Sequence, residues 1–218
     1  MTEKIITIAQ QKGGAGKTTI AAHLAVALSQ RGKRVAIIDI DPQGSLSTWY
    51  DLREQRFGAG YTGLTFISAS GWRVNSEISR LKRDHDVIII DSPPHTETDA
   101  KTALRAADLV IIPVQPSPTD LWATKATVEL AAKERIPAYI LLNRVASNSK
   151  LAAGIAAQLD NLLECNLGNR VAFASCLMEG RAVTETDPGS VAAKEIKAMT
   201  EEIWCLCSDE VTDLSQVS

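Results

Sequence analysis

Residues 12–19 read Lys-Gly-Gly-Ala-Gly-Lys-Thr-Thr, a run whose residue types suit the binding of a polyphosphate. Gly13, Gly14 and Gly16 carry no Cβ, so the backbone can take positive φ and turn successive N–H groups toward an anion, with only the small Ala15 between them. Lys17 has the reach and charge for the β and γ phosphates, the Thr18 hydroxyl suits one position on a Mg²⁺ ion, and Thr19 suits the α phosphate. An apolar run, Ile5 to Ile8, precedes the loop, and an Ala/Leu-rich helical segment from Thr18 to Gln30 follows it. The start of such a helix adds free N–H groups and a partial positive charge at the same point. Strand, loop and helix together specify a nucleotide site.

Two apolar segments end in acids. Arg34 to Asp39 is a strand pattern that runs on through Ile40, Asp41, Pro42, Gln43 and Gly44, and Val87 to Ile90 runs into Asp91, Ser92, Pro93 and Pro94. Four aliphatic residues followed by Asp set a carboxylate at the carboxyl end of a buried parallel strand, beside the phosphate loop. Asp39 and Asp91, with Thr18, form the candidate metal set; for Asp39 a helix-capping role stays open.

The loop departs from the ordinary G-x-x-x-x-G-K-S/T pattern, because Gln11 stands where its first glycine would fall and a second lysine, Lys12, opens the run. In this it resembles the deviant Walker A ATPases of the ParA/MinD family, whose K-G-G-x-G-K-T/S-T/S motif it matches at every fixed position. The segment 39–44 is similar to that family's first switch loop. Residues 91–120 resemble its second switch and the strand after it, and residues 186–196 resemble its carboxyl-terminal segment. Beginning at the phosphate-loop strand, the chain is closest in form to short ParA-type members without an amino-terminal helix-turn-helix.

The resemblance implies ATP and Mg²⁺ as cofactors, and a two-fold homodimer in the ATP-bound state with nucleotide sandwiched between subunits. Lys12 then matches the lysine that reaches the partner's phosphates, so Lys12, Lys17 and Asp41 are the expected catalytic residues. Asp41 matches the residue that helps place the attacking water, and Asp91 the one that supports Mg²⁺ through water. Slow, partner-stimulated hydrolysis is expected. The implied partners are non-specific DNA and an adaptor protein, ParB-like or specific to a cargo. Arg170, Arg181, Lys194 and Lys197 are candidate phosphate contacts, against the plainer reading of a solvated helix, with Glu195, Glu201 and Glu202 nearby. No N-K-x-D guanine motif occurs, which favours ATP over GTP. Asn143 lies where the family places an adenine contact, and a simple turn asparagine is an open alternative.

Two other activities share such a scaffold. A MinD-like membrane switch needs a basic amphipathic terminal helix, whereas Ser208 to Ser218 offers Asp209, Glu210 and Asp213 and no Lys or Arg. A reductase or metal-cluster carrier needs paired cysteines, and Cys165, Cys176, Cys205 and Cys207 show no C-x-x-C spacing.

The elements that must position these residues are legible in outline. A chain of 218 residues with 45% hydrophobic and 5% aromatic content fits one aliphatic α/β core. Strands are expected at Lys4–Ala9, Arg34–Asp39, Thr65–Ser68, Val87–Ile90, Asp108–Val114, Ala138–Leu142 and Val171–Ala174. Helices between most of them give a doubly wound, mostly parallel sheet covered on both faces. Leu151, Ile155, Leu159 and Leu162 recur at helical spacing, as do Ile196, Met199 and Ile203, and Asp120 is placed to cap the helix after Pro118. Residues 1–207 are expected to form one ATPase domain and 208–218 a disordered acidic tail. With a net charge of −3, no bulk field draws the chain to DNA, so any contact needs a local patch. With neither a signal peptide nor a membrane span, the expected location is cytoplasmic, at the nucleoid.

Overall fold

The computed structural model describes residues 3–94 and 97–208. His95 and all but the first residue of the tail expected at 208–218 lie outside the described residues.

Strands β1 (Lys4–Ile8), β2 (Val35–Asp39), β4 (Val87–Asp91) and β5 (Leu109–Val114) are near-continuous aliphatic runs because both of their faces are covered. With β3 (Thr65–Ser68), β6 (Ala138–Val145) and β7 (Leu162–Gly168) they form one sheet in the order β3-β2-β4-β1-β5-β6-β7. Every pairing is parallel. The chain builds one half of the sheet outward from β1, returns to insert β4 beside it, and then builds the other half through β5. The carboxyl end of β1 therefore sits where the two halves diverge, the position at which doubly wound sheets bind ligands.

Alternation along the strands sends Ile6, Ile8, Ile37, Ile89 and Ile111 to one face. There they meet α1 (Lys17–Gln30), α2 (Ser45–Phe57), α7 (Val171–Leu177), α8 (Val183–Thr186) and α9 (Val191–Cys207). On the opposite face Ile5, Ile38, Ile88 and Ile90 pack with Val74 and Leu81 of α3 (Val74–Leu81) and with Ala103 of α4 (Glu97–Arg105). Val110, Ile112, Ile140 and Leu142 pack there with Ala131 of α5 (Pro118–Glu134) and Ile155 of α6 (Lys150–Ala156).

Three local expectations are corrected. Val171–Ala174 is not a strand but opens α7, whose Phe173 and Cys176, three apart, turn inward. The seventh strand is Leu162–Gly168 instead, with Leu163 and Leu167 buried and Glu164 and Asn166 exposed, a period of two that the helical spacing from Leu151 had absorbed. Helix α6 ends at Ala156, and Asn161 at φ 52 turns the chain into the strand. Lastly, Asp120 does not cap α5: Ser117 does, its Oγ accepting the Asp120 N–H with Pro118 at the first helical position.

Helix α2 is fixed to the carboxyl-terminal half of the chain by a buried ion pair. Arg53, 5% exposed, donates to both carboxylate oxygens of Glu185 at 2.9 and 2.8 Å, and also to the carbonyls of Thr62 and Gly180. Gly180 has φ 65, and a Cβ there would lie 2.3 Å from the Arg53 backbone nitrogen, so only glycine lets the two segments touch. Replacing Arg53 with Ala leaves Glu185 without its counter-ion, at a cost of about 3–5 kcal/mol. Calorimetry should show a fall in Tm of roughly 6–20 °C.

A candidate nucleotide site at the carboxyl ends of the strands

The register sets three strand ends level. Ile8 of β1 and Asp39 of β2 both pair with Asp91 of β4, so the phosphate loop and two carboxylates leave the sheet side by side. Residues 9–16 turn from β1 into α1, with Gly14 at φ 78 and Gly16 at φ 99. The amides of Gly13, Gly14 and Gly16 make no hydrogen bond among the described residues. They are free donors at the amino end of a 14-residue helix, which is an anion site.

In front of the loop opens a cleft of about 600 Å³, lined by Gly13, Gly14 and Gly16 to Thr19 on one side and by Asp41, Gln43 and Thr48 on the other. Lys17 is buried, and desolvation lowers its pKa against the pull of Asp91 and Asp41. Thr18 donates its hydroxyl proton to Asp91 Oδ2 at 2.7 Å. Burial pushes the Asp91 carboxyl up to about 7, helped by the nearby Asp39 and Asp41 and opposed by the Thr18 hydrogen bond and Lys17. Asp91 Oδ1 is buried without a hydrogen-bond partner among the described residues. A hydroxyl and a carboxylate with a spare oxygen beside free amides fit a Mg²⁺-nucleotide, held by Thr18 and supported by Asp91.

Asp39 has its oxygens engaged by the loop it carries. Oδ2 accepts from the Ser47 amide at 3.0 Å and from its hydroxyl at 2.7 Å, and Oδ1 accepts from the Asp41 amide at 3.0 Å. It thereby caps the first turn of α2, and its pKa is raised by burial. Asp41 is half-buried, accepts the Gln43 amide at 2.9 Å and faces the cleft. Asn143, two residues before the end of β6, is 5% exposed; it donates to the Ala15 carbonyl at 2.8 Å and accepts the Arg144 amide at 2.9 Å. It also borders a small cavity of about 60 Å³ with Gly16, Thr19 and Phe173.

Lys12 does not line the cleft. Its ammonium forms a short ion pair with Asp120 and donates to Thr119 Oγ1 at 3.1 Å, at the amino end of α5. Asp120 is 2% exposed, and its Oδ1 has no hydrogen-bond partner among the described residues. Sequence reasoning gave Asp120 only a capping role; its place just after Pro118 was the signal, and its approach to Lys12 across more than 100 residues left none. Arg144, at φ 56, and Met178 are further cleft residues not marked by the motifs.

The four basic candidates differ in how they are held. Arg170 is clamped by Glu195 at 2.9 and 2.6 Å, and Arg181 is held by the Glu185 carbonyl and by Glu179. Lys194 and Lys197 are exposed on one face of α9; Lys197 donates to the Pro188 carbonyl at 3.0 Å, and Lys194 has no partner among the described residues.

Comparison with known proteins agrees with this geometry. The family model for the CobQ/CobB/MinD/ParA nucleotide binding domain matches residues 6–183. The chain is 29% identical over 209 residues to the maintenance of carboxysome distribution protein A of Halothiobacillus neapolitanus, covering 91% of this chain and 95% of that one. It is 27% identical over 234 residues to the chromosome-partitioning ATPase Soj of Thermus thermophilus, covering 91% and 94%. Among solved structures, the septum site-determining protein MinD of Pyrococcus horikoshii with Mg-ADP superposes with a TM-score of 0.81 at 22% identity, over 97% of this chain and all of that one. A Cyanothece McdA variant in complex with ATP gives 0.76 at 21%, over 94% and 96%. At such identities the structural likeness speaks for the fold. Loop, strand ends and sequence relatives agree, and the chain belongs to the CobQ/CobB/MinD/ParA family of nucleotide-binding domains.

Proposed function

We propose that this protein is an ATPase that switches between a monomer and an ATP-bound dimer, holds non-specific DNA in the dimeric state, and positions or segregates a cargo when an adaptor stimulates hydrolysis. The observation that carries this reading is the place of Lys12. A lysine in the phosphate loop that is turned out of its own cleft, and held by Asp120 instead, is available to a second copy of the chain. A cation delivered across an interface neutralises developing charge on a transferring phosphoryl group, as an arginine finger does.

In the hydrolytic step the γ-phosphoryl group passes from ATP to water, and ADP is the leaving group. The oxygen of water bonds to phosphorus as the bridging bond to ADP breaks, and a proton is released. Asp41, at the cleft wall opposite the loop, orients the water. Lys17 and the loop amides hold the phosphates in line. Mg²⁺, which Thr18 would hold and Asp91 support, would supply further charge neutralisation. Asp39 ties the Asp41 loop to α2, so movement at the cleft reaches the Arg53–Glu185 pair and α8.

The two full-length relatives are named for different loads, a carboxysome and a chromosome. Cargo choice thus belongs to the adaptor surface and not to the ATP machinery. For DNA, Lys194 and Lys197 are the free or lightly held cations, while Arg170 and Arg181 are neutralised by carboxylates and serve as scaffold.

Lys17→Ala should abolish ATP binding in calorimetry, since the charge-assisted contact to a desolvated polyphosphate is lost; unchanged affinity sinks the site. Asp41→Ala should bind ATP, remain dimeric in size-exclusion chromatography with Mg²⁺, and turn over at least about tenfold more slowly. Lys12→Ala should bind ATP as a monomer. If both variants stay monomeric, the division of roles is wrong.

Fluorescence anisotropy on random duplex should show binding with ATP and not with ADP. Lys194→Ala with Lys197→Ala removes up to four cations from a dimer and should flatten the log–log salt slope by about 3–4. Equal binding in both nucleotide states contradicts the switch, and ATP-dependent recruitment to liposomes without DNA binding replaces it with a membrane role.

A further inference from the structure

Two side-chain amides meet the phosphate loop from behind. Gln115, half-buried just after β5, donates its Nε2 proton to the Gly14 carbonyl at 2.8 Å. Asn143, two residues before the end of β6, donates its Nδ2 proton to the next carbonyl, that of Ala15, also at 2.8 Å. The Arg144 amide on Asn143 Oδ1 fixes which end of that side chain faces the loop. Contact is close: a Cβ on Gly16 would lie 2.4 Å from Asn143 Nδ2.

The consequence follows from the planarity of the peptide unit, in which C=O and the following N–H point in opposite directions. Both carbonyls are drawn toward the β5 and β6 side of the loop. The Ala15 and Gly16 N–H groups must then face the other way, toward the β2 and β4 side, where Asp41 and Gln43 form the far wall of the cleft. With Gly14 and Gly16 in the left-handed region, a nest of N–H groups results. Without such props, a glycine-rich loop is free to rotate its peptide planes and present carbonyl oxygens to an anion.

We propose that Gln115 and Asn143 are positioning residues that grip consecutive carbonyls of the phosphate loop and pre-set its amides for a polyphosphate. The proposal rests on the reading of the loop as a nucleotide site, and it assigns Asn143 a function independent of the base. A loop held by such a grip meets the cost of its ordering in folding and not in binding.

The test is Gln115→Met, which keeps the length of the side chain and removes the donor at a position where little else depends on it. In nucleotide-free, ¹⁵N-labelled protein the Ala15 amide resonance should shift and exchange faster, with Tm within a few degrees of wild type. Affinity for ATP and for inorganic tripolyphosphate should fall together by about tenfold, the size of one hydrogen bond. Asn143→Asp keeps the acceptor for Arg144 and turns a second acceptor on Ala15; it should displace the Gly16 resonance and weaken both ligands further. If Asn143→Asp does not fold, Gln115→Met decides alone. An unmoved Ala15 resonance, or affinities within twofold of wild type, overturns the clamp. If wild-type protein binds neither ATP nor tripolyphosphate while the Ala15 resonance still moves in Gln115→Met, the grip stands and the nucleotide reading falls.

Discussion

The site is organised around charge that the fold buries without fully balancing. Asp91 lies between β1 and β2 with one oxygen on Thr18 and the other unpaired among the described residues, and its carboxyl is pushed up to about 7. Lys17 beside it is desolvated in the opposite sense, its pKa lowered. Neither group is satisfied by the other alone, because Asp39 and Asp41 add negative charge at the same strand ends. Desolvated charges of this kind are costly unless a ligand completes them. A triphosphate with its divalent ion supplies anionic oxygens to Lys17 and the amides, and positive charge to the acids. Placement of β1 between β4 and β5 is what makes the arrangement possible, since it brings the loop and the acids to one level.

Around that centre, the contacts form two groups with different roles. On the β5 and β6 side they are fixed: side-chain amides hold the loop, and Asn143 is packed against Gly16. On the β2 side they lead outward, through Asp39 to α2 and through Arg53 and Trp49 to the segment around Gly180 and Glu185. Lys12 belongs to neither group. It is joined to Asp120, a buried carboxylate with a spare oxygen, at the start of α5.

How much of this was legible depends on the range of the interaction. The phosphate loop, the two acidic strand ends and five interior strands follow from local runs, since glycine freedom and continuous burial leave marks within a few residues. The seventh strand was missed because Leu162 continues a helical spacing from Leu151, and an edge strand paired on one side carries only a short alternation. Val171-Ala-Phe-Ala reads as extended by its side chains, yet tertiary packing of Phe173 against His23 makes it a helix. The grip of Gln115 and the pairing of Lys12 with Asp120 join residues about 100 positions apart. No motif spans that distance. Glu195 stands in view beside the basic candidates, but its clamp on Arg170 joins separate segments and leaves no local mark.

The central claim is that Lys12 exchanges Asp120 in its own subunit for phosphate oxygens in another. A crystal structure of the hydrolysis-deficient Asp41→Ala variant with ATP and Mg²⁺ tests it directly. The account predicts a two-fold dimer in which the phosphates lie on the Gly13 to Thr19 amides, Thr18 contacts the metal, and Lys12 has left Asp120 for the partner's nucleotide. A nucleotide-loaded structure in which Lys12 remains on Asp120, with no second copy across the cleft, would contradict it.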